Sequence, residues 1–420
     1  MHYLWKFQKF SNWNLKTTEG EFLEILKVGT HNKENEGPDF FTSQIIIDNQ
    51  KWAGNVEVHV KSSDWYSHNH QTDTNYDSVI LHVVWQEDVA VFRRNNTKIP
   101  TLELKKYIDV KQLDNYKRLF SNLNLKEINC ENDIASVDDF VWKNWLERLY
   151  FERLEEKSIP ILELLERNNN NWEATCFCII AKAFGSNKNG NAFFKMAESI
   201  PFSIVQKEVS AFRLEALFMG QCNMLKDEGD NYMKKLYDEY NYLKKKYSLE
   251  PIKETVQFFR LRPSNFPTIR LSQLAMLYAN KINLFQLIVE ATDSKELQKL
   301  IKTSTSEYWF DHYNFYIKSK TSSKKIISPL FFKTILLNAI IPLRFIKRKV
   351  EDSNMNFSRE LLIIETLSPE SNSITAYFKS KGVVLTSSLH SQALLTLKNN
   401  YCKLNKCLQC NIGSFILKYE

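Results

Sequence analysis

Two hydrophobic periods divide the chain. Around Ser43–Asp48 and again along Lys51–Val60, apolar and polar residues alternate in steps of two, the spacing that sends successive side chains to opposite faces of a strand. Asp48-Asn49-Gln50 between them has turn chemistry, so the pair reads as a hairpin. In its second strand Glu57, His59 and Lys61 share one face and Val56, Val58 and Val60 the other. Ser78–Trp85, rich in β-branched residues, predicts a third strand, Val89–Phe92 a fourth and Thr101–Leu104 a fifth. Glu19–Leu26 fits either a short helix or a strand, and Thr30–Gly37 has the composition of a loop.

Past Val137 the period becomes helical. Phe140, Trp142, Trp145, Leu146, Leu149 and Leu154 recur at helix spacing, with Lys143/Glu147 and Arg148/Glu152 as i,i+4 pairs on the wet faces. Similar patterns cover Trp172–Phe184, Phe202–Met224, Asp230–Lys246, Leu271–Asn280, Leu284–Ala291 and Lys295–Ile301, the last with Asp293 or Ser294 as its cap. Asn168–Asn171 reads as a loop between helices and Gly185–Asn189 as a helix stop. The expected fold class is α+β. A small mixed β-sheet domain over residues 1–110 is followed by a large, mainly helical region over 111–420.

Composition narrows the picture. The 420 residues are 43% hydrophobic with only ten Gly and ten Pro, which supports a core and excludes collagen-like and Pro/Gly-rich disordered classes. The net charge of +7 is mild, but its distribution is uneven. Residues 301–350 hold ten Lys or Arg against two acids, a stretch suited either to phosphate backbones or to a solvated face. The N-terminus lacks a signal-peptide pattern, and the apolar run Ile335–Leu343 is too short to span a bilayer. The expectation is a cytoplasmic protein with no membrane partner. Seven cysteines, an odd number, argue against a secreted disulfide scaffold.

Candidate chemistry concentrates between Gly37 and Trp85, where four of the eight histidines fall. Asp39 follows Pro38 at the mouth of a strand, and Glu57 and His59 lie on the next. Carboxylates suit a hard cation such as Mg²⁺ or Mn²⁺, and His59, His68, His70 and His82, with Asp73 and Asp77 nearby, suit a softer one. Asp39, Glu57, His59, His70, Asp73 and His82 are therefore the candidate ligands of a divalent metal, with Asp39, Glu57, His59 and Lys61 as candidate catalytic residues. Trp65 and Tyr66 either stack on a base or pack over the sheet edge. No Gly-x-Ser-x-Gly and no phosphate-cradling Gly-rich loop occurs.

Two further stretches carry signals. Cys402, Cys407 and Cys410 place three thiolates within nine residues. A fourth ligand from Cys130 or His390 would complete a site for Zn²⁺ or an iron–sulfur cluster. Between Arg260 and Arg270 two prolines bracket Asn265-Phe266. Arg260, Arg262 and Arg270 either bind nucleic-acid phosphate through forked donors or tie a rigid interhelical turn.

Pro38-Asp39, then Glu57 on a following strand with a basic residue two positions on, resembles in part the PD-(D/E)XK nuclease superfamily. That resemblance implies that the two carboxylates hold a divalent metal while a lysine positions or activates water. A glutamate on the first helix assists, and Glu21 or Glu24 stands upstream here. His59 occupies the lysine's place, and Lys61 lies two residues further along the same face. A broader set of landmarks, Asn35-x-Gly-Pro-Asp-Phe40, Trp52-Ala-Gly-Asn-Val-Glu-Val-His59, Asp64-Trp65-x-x-His68-x-His70-x-x-Asp73, Arg262-Pro-x-Asn-Phe-Pro267 and Cys407-Leu-x-Cys410, is similar to the bacterial family numbered 2851 among the domains of unknown function. The functional expectation is a metal-dependent phosphodiesterase, nuclease-like, acting on nucleic acid. Its alternatives are a non-catalytic interaction or scaffold protein with a structural metal at the C-terminal cysteines, and a metal enzyme acting on a small molecule.

Overall fold

The computed structural model describes residues 1–32, 36–108, 110–120, 127–281, 283–351 and 357–419, without the side chains of 110–113 and 419. It is α+β, a mixed sheet near the N-terminus followed by a mainly helical region. Two compact units divide it. The first gathers Met1–Trp145 with Ser380–Val383 and Lys398–Glu420, and the second is Leu146–Lys379 with Val384–Leu397. A cut near residue 110 would leave the C-terminal cysteines with the helical region, whereas here they belong to the unit that holds the sheet.

In the first unit a short helix α1 (His2–Lys6) precedes strands β1 (Leu23–Lys27), β2 (Thr30–His31), β3 (Phe40–Ile47) and β4 (Gln50–Lys61). Helix α2 (Asp64–Ser67), β5 (Val79–Gln86) and β6 (Thr101–Glu103) follow. The sheet order is β1-β3-β4-β5-β6, with β2 beside β3. β1, β3 and β4 run antiparallel, and β5 and β6 add in parallel. The β3–β4 hairpin forms as its turn predicts: Asp48 and Asn49 both take positive φ, 45° and 68°, the two-residue loop whose twist matches the strands and which Asn and Asp tolerate.

Glu19–Leu26, ambiguous by pattern, resolves to strand β1. Thr30–His31, inside the expected loop, pairs with Phe40–Phe41; residues 33–35 of that loop lie outside the described residues. Val89–Phe92 contributes only a bridge from Phe92 to Lys98.

Register sorts the two faces. Val56 pairs with Leu81 and Val58 with Val83, and all four join Trp5, Phe40 and Ile45 in one apolar core. The opposite face therefore carries Glu57 beside His82, and His59 beside Val84. It is covered by a second cluster around Trp65, Tyr76, Val79, Val91 and Ile99. Trp65 is fully buried and its indole N–H donates to the Phe92 carbonyl, while the Tyr66 hydroxyl donates to that of Ala90. Both rings pack rather than present a stacking surface.

The described residues of the second unit are mainly helical, with a small hairpin, His312–Asn314 with Ile317–Lys318, which the helical pattern did not foreshadow. Asp293, not Ser294, caps Ser294–Ile301 by accepting from the N–H groups of Lys295 and Glu296. The expected stop at Gly185–Asn189 is a break at Ser186 (φ 51°) within Trp172–Glu198. The apolar run around Ile335 belongs to a helical stretch, Pro329–Glu351, that is long and apolar enough to cross a membrane by composition, and 72% of its apolar window is buried within the protein. A π-helical turn at Leu336–Ile340 precedes Pro342, where the proline supplies no N–H and its ring crowds the carbonyl four residues back.

Candidate metal centre

β4 delivers Glu57 and His59 from one face, both buried. The chain then turns through α2, whose Asp64 accepts from the Lys61 backbone N–H at 2.9 Å. It reverses at Asn69 in the left-handed region (φ 60°), a conformation Asn adopts at low cost. The reversal brings His68 and His70 back over the strand, so that ligand nitrogens of His59, His68 and His70 lie within 4.8 Å of one another. Tyr76 stacks on His70 with centroids 3.8 Å apart, and Trp65 meets it edge-on at 5.3 Å. His59 is buried, His70 half-buried and His68 exposed, so the cluster is anchored in the sheet and opens to solvent at one ring.

The spacings suit an ion. His59 Nε2 lies 3.1 Å from His68 Nδ1 and 3.4 Å from Glu57 Oε1, and His70 Nε2 lies 3.5 Å from that same oxygen. A tetrahedral ion with bonds of about 2.0–2.1 Å has ligand-to-ligand edges of about 3.3–3.4 Å. His70 Nε2 is buried and, with Glu57 at the limit of hydrogen-bond reach, makes no well-formed hydrogen bond, which is costly for a polar atom that nothing is meant to meet.

Electrostatics keep two of the rings, His59 and His82, neutral. Burial, reinforced by the neighbouring His70 and His68, lowers the His59 pKa to about 4. Burial and His59 lower that of His82 to about 3. Both are neutral imidazoles at ordinary pH, as metal ligation requires. Burial raises the Glu57 carboxyl, opposed chiefly by His70.

The other predicted ligands take different places. Asp39 and β4 exchange bonds: the Asp39 N–H donates to Glu57 Oε2 at 3.0 Å, and Asp39 Oδ2 accepts from the Val58 N–H at 3.0 Å. That oxygen also meets His2 Nε2 at 3.0 Å. Asp39 therefore fixes Glu57 from behind, its Oδ2 turned toward α1. His82 Nε2 lies 2.9 Å from His59 Nδ1, on the side of the ring away from His68. Asp73 caps the turn Thr74–Tyr76 by accepting from the Asn75 N–H, and Asp77 pairs with Arg94. Lys61 is exposed at the end of β4. Glu24 sits opposite Ile46, which pairs with Lys51, six residues down β4 from Glu57; Glu21 accepts from the Thr17 hydroxyl. Neither rides on the first helix. That helix instead brings His2 to Asp39, a partnership no local pattern announced.

Among the arginines, Arg270 is buried. It donates to Gln273 Oε1 at 2.7 Å and Asn265 Oδ1 at 2.5 Å and lies over the Phe331 ring. It is the tie of an interhelical turn rather than a phosphate contact. Arg260 and Arg262 are exposed. Cys402, Cys407 and Cys410 sit with Cys130 in the first unit, while His390 belongs to the second, its Nδ1 against Thr386. Burial pushes the Cys410 thiol up to about 11 and that of Cys402 up to about 12.

A family model described as a protein of unknown function, DUF2851, matches residues 1–373. The chain belongs to the DUF2851 family. No curated protein and no solved structure matches it. The DUF2851 match takes in Asp39, Glu57, all four clustered histidines and Cys130, and ends before Cys402.

Proposed function

We propose that the chain is a metal-dependent phosphodiesterase, nuclease-like, with its ion held by Glu57, His59, His68 and His70. The observation that carries the reading is three imidazole nitrogens within 4.8 Å of one another, two of them 3.4 and 3.5 Å from a Glu57 carboxylate oxygen, on a sheet face that opens to solvent at His68. A donor set richer in nitrogen than oxygen favours Mn²⁺ or Zn²⁺ over Mg²⁺, which prefers oxygen. Such an ion, when bound, supplies Lewis acidity toward a phosphate oxygen and a water of lowered pKa.

The residues divide the remaining work. Asp39 holds Glu57 through its backbone N–H. His82 orients His59 through the far nitrogen of its ring. Lys61, exposed on the Glu57–His59 face, offers a cation to an approaching phosphate. Nucleic acid is the proposed substrate, with Arg260 and Arg262 as outlying phosphate contacts and Arg270 no longer among them. The resemblance of Pro38-Asp39 and Glu57 to the PD-(D/E)XK pattern supports phosphodiester chemistry. The inward commitment of Arg270 favours the second reading, a non-catalytic interaction or scaffold protein with a structural metal at the C-terminal cysteines.

The test is cleavage of single- and double-stranded DNA by metal-stripped protein to which Mn²⁺, Zn²⁺ or Mg²⁺ is returned. Glu57→Gln and His59→Ala should each lower the rate by about a hundredfold or more while circular dichroism stays native. Cleavage that survives both substitutions removes these residues from the chemistry. Stoichiometric metal without cleavage of either DNA establishes the structural reading.

A further inference from the structure

Four cysteines gather in the same unit, away from the histidines. Cys407 and Cys410 bracket one 3₁₀ turn, Cys407–Gln409, with the Cys410 N–H donating to the Cys407 carbonyl at 3.2 Å. Cys402 ends the preceding π-helical turn Leu397–Cys402. The partner comes from far back in the sequence. The Asn129 side-chain amide donates both to Asn405 Oδ1 at 3.2 Å and to Cys407 Sγ at 3.3 Å, which sets the adjacent Cys130 beside this loop. Cys402, Cys407 and Cys410 all lie within electrostatic reach of the Cys130 thiol. None of the four is in a disulfide, and three are buried, with Cys402 half-buried. Lys398, itself buried, pins the same two segments by donating to the Glu127 carbonyl at 2.8 Å and pairing with its carboxylate at 3.0 Å.

We propose that Cys130, Cys402, Cys407 and Cys410 form a four-thiolate metal centre that staples residues 127–131 to the C-terminal segment. Thiols buried only for packing sit among apolar atoms and ask for no donors. Here donors converge on sulfur. The backbone N–H groups of Ile412 and Gly413 face Cys410, and Cys407 receives Asn129. Such N–H groups stabilise sulfur that carries negative charge, as in metal thiolates. Gly413 is built for this approach. A Cβ there would fall 2.2 Å from the Cys407 carbonyl oxygen, so only glycine lets helix Asn411–Tyr419 close on the turn and aim its first N–H groups at Cys410. Cys176, Cys178 and Cys222 are instead buried in the second unit.

Four thiolates and no histidine are the donor set of a structural zinc site or of an iron–sulfur cluster, and one experiment separates them. Full-length protein is purified without oxygen and assayed for iron, acid-labile sulfide and zinc, with its visible spectrum. It is then stripped and reloaded with Co²⁺, whose thiolate charge-transfer bands report sulfur ligation and are not given by the histidine centre. About one zinc, or iron with matching sulfide and brown colour, is expected per chain. The cobalt–thiolate bands should vanish in Cys410→Ala and persist in His59→Ala, so failure here and failure of the histidine reading are told apart. Should Cys410→Ala not fold, titration of the wild type with a mercurial supplies the same answer, metal being released as the four thiols react. Absence of iron, sulfide, zinc and thiolate bands from the wild type, with the four thiols open to reagent in the native protein, overturns the proposal.

Discussion

At the level of single residues, the centre turns on which proton each imidazole keeps. His59 cannot offer Nε2 to an ion unless its proton sits on Nδ1, and Nδ1 faces His82 Nε2 at 2.9 Å. His82 must then accept at Nε2 and hold its own proton on Nδ1, a buried atom with no hydrogen-bond partner. The ring is kept neutral by burial, so it works as a positioning acceptor. His82→Phe should therefore leave metal stoichiometry intact and weaken affinity by about 10- to 100-fold, the usual effect of losing an outer hydrogen bond to a ligating histidine. Calorimetric titration with Mn²⁺ and Zn²⁺ checks it, and loss of the bound ion altogether would make His82 a ligand. Sequence brought His59, His68, His70 and His82 to notice because they crowd a short stretch. It did not rank them, since direct ligand and supporting ring differ only in which nitrogen faces which neighbour. Asp39 drew notice in the sequence as a candidate ligand, whereas its bonds to Val58 and His2 depend on a strand register and a distant helix.

Among the elements, the readable parts were those whose signal is local. The Asp48-Asn49 turn, the alternation of Val56–Val60 and the cap at Asp293 each place their element within a residue or two. What escaped were elements made by pairing: β2, two residues held only by β3, and the hairpin at His312–Lys318. The centre itself rests on one such pairing, the parallel register of β4 with β5 that sets Glu57 beside His82. Gly54 permits it. An added Cβ would meet Ile80 Cγ2 at 2.5 Å and the Ser78 carbonyl oxygen at 2.6 Å. Gly54→Ala should thus push β5 away just upstream of the site, costing about 1–3 kcal/mol in overpacking and lowering metal affinity although no ligand is touched. Denaturant unfolding read beside metal titration tests the link. Unchanged affinity in a destabilised variant would show that the centre is held by the His68–His70 loop independently of β5.

For the molecule as a whole, the density of basic residues along the chain misleads about its surface. Residues 301–350 are the most basic stretch by sequence, yet much of that charge is committed inside the second unit. Lys325 donates to the carbonyls of Trp309 and Phe310, Lys333 to that of Ser368, and Lys349 pairs with Glu155. Arg344, 2% exposed, donates to the carbonyls of Ile288 and Ala291 and shares the buried Glu360 carboxylate with Arg348, at 2.9 and 3.1 Å. An ion pair desolvated to this degree contributes little net stability against an apolar substitute, but removing one partner strands the other charge in low dielectric, at about 3–5 kcal/mol. Glu360→Gln should accordingly lower the unfolding free energy by about that amount in urea titration. Its salt-dependent affinity for DNA should not rise, since the freed guanidinium of Arg344 stays turned to the interior. If affinity and its salt slope instead increase while stability holds, these arginines face solvent, and the basic stretch is a nucleic-acid surface after all.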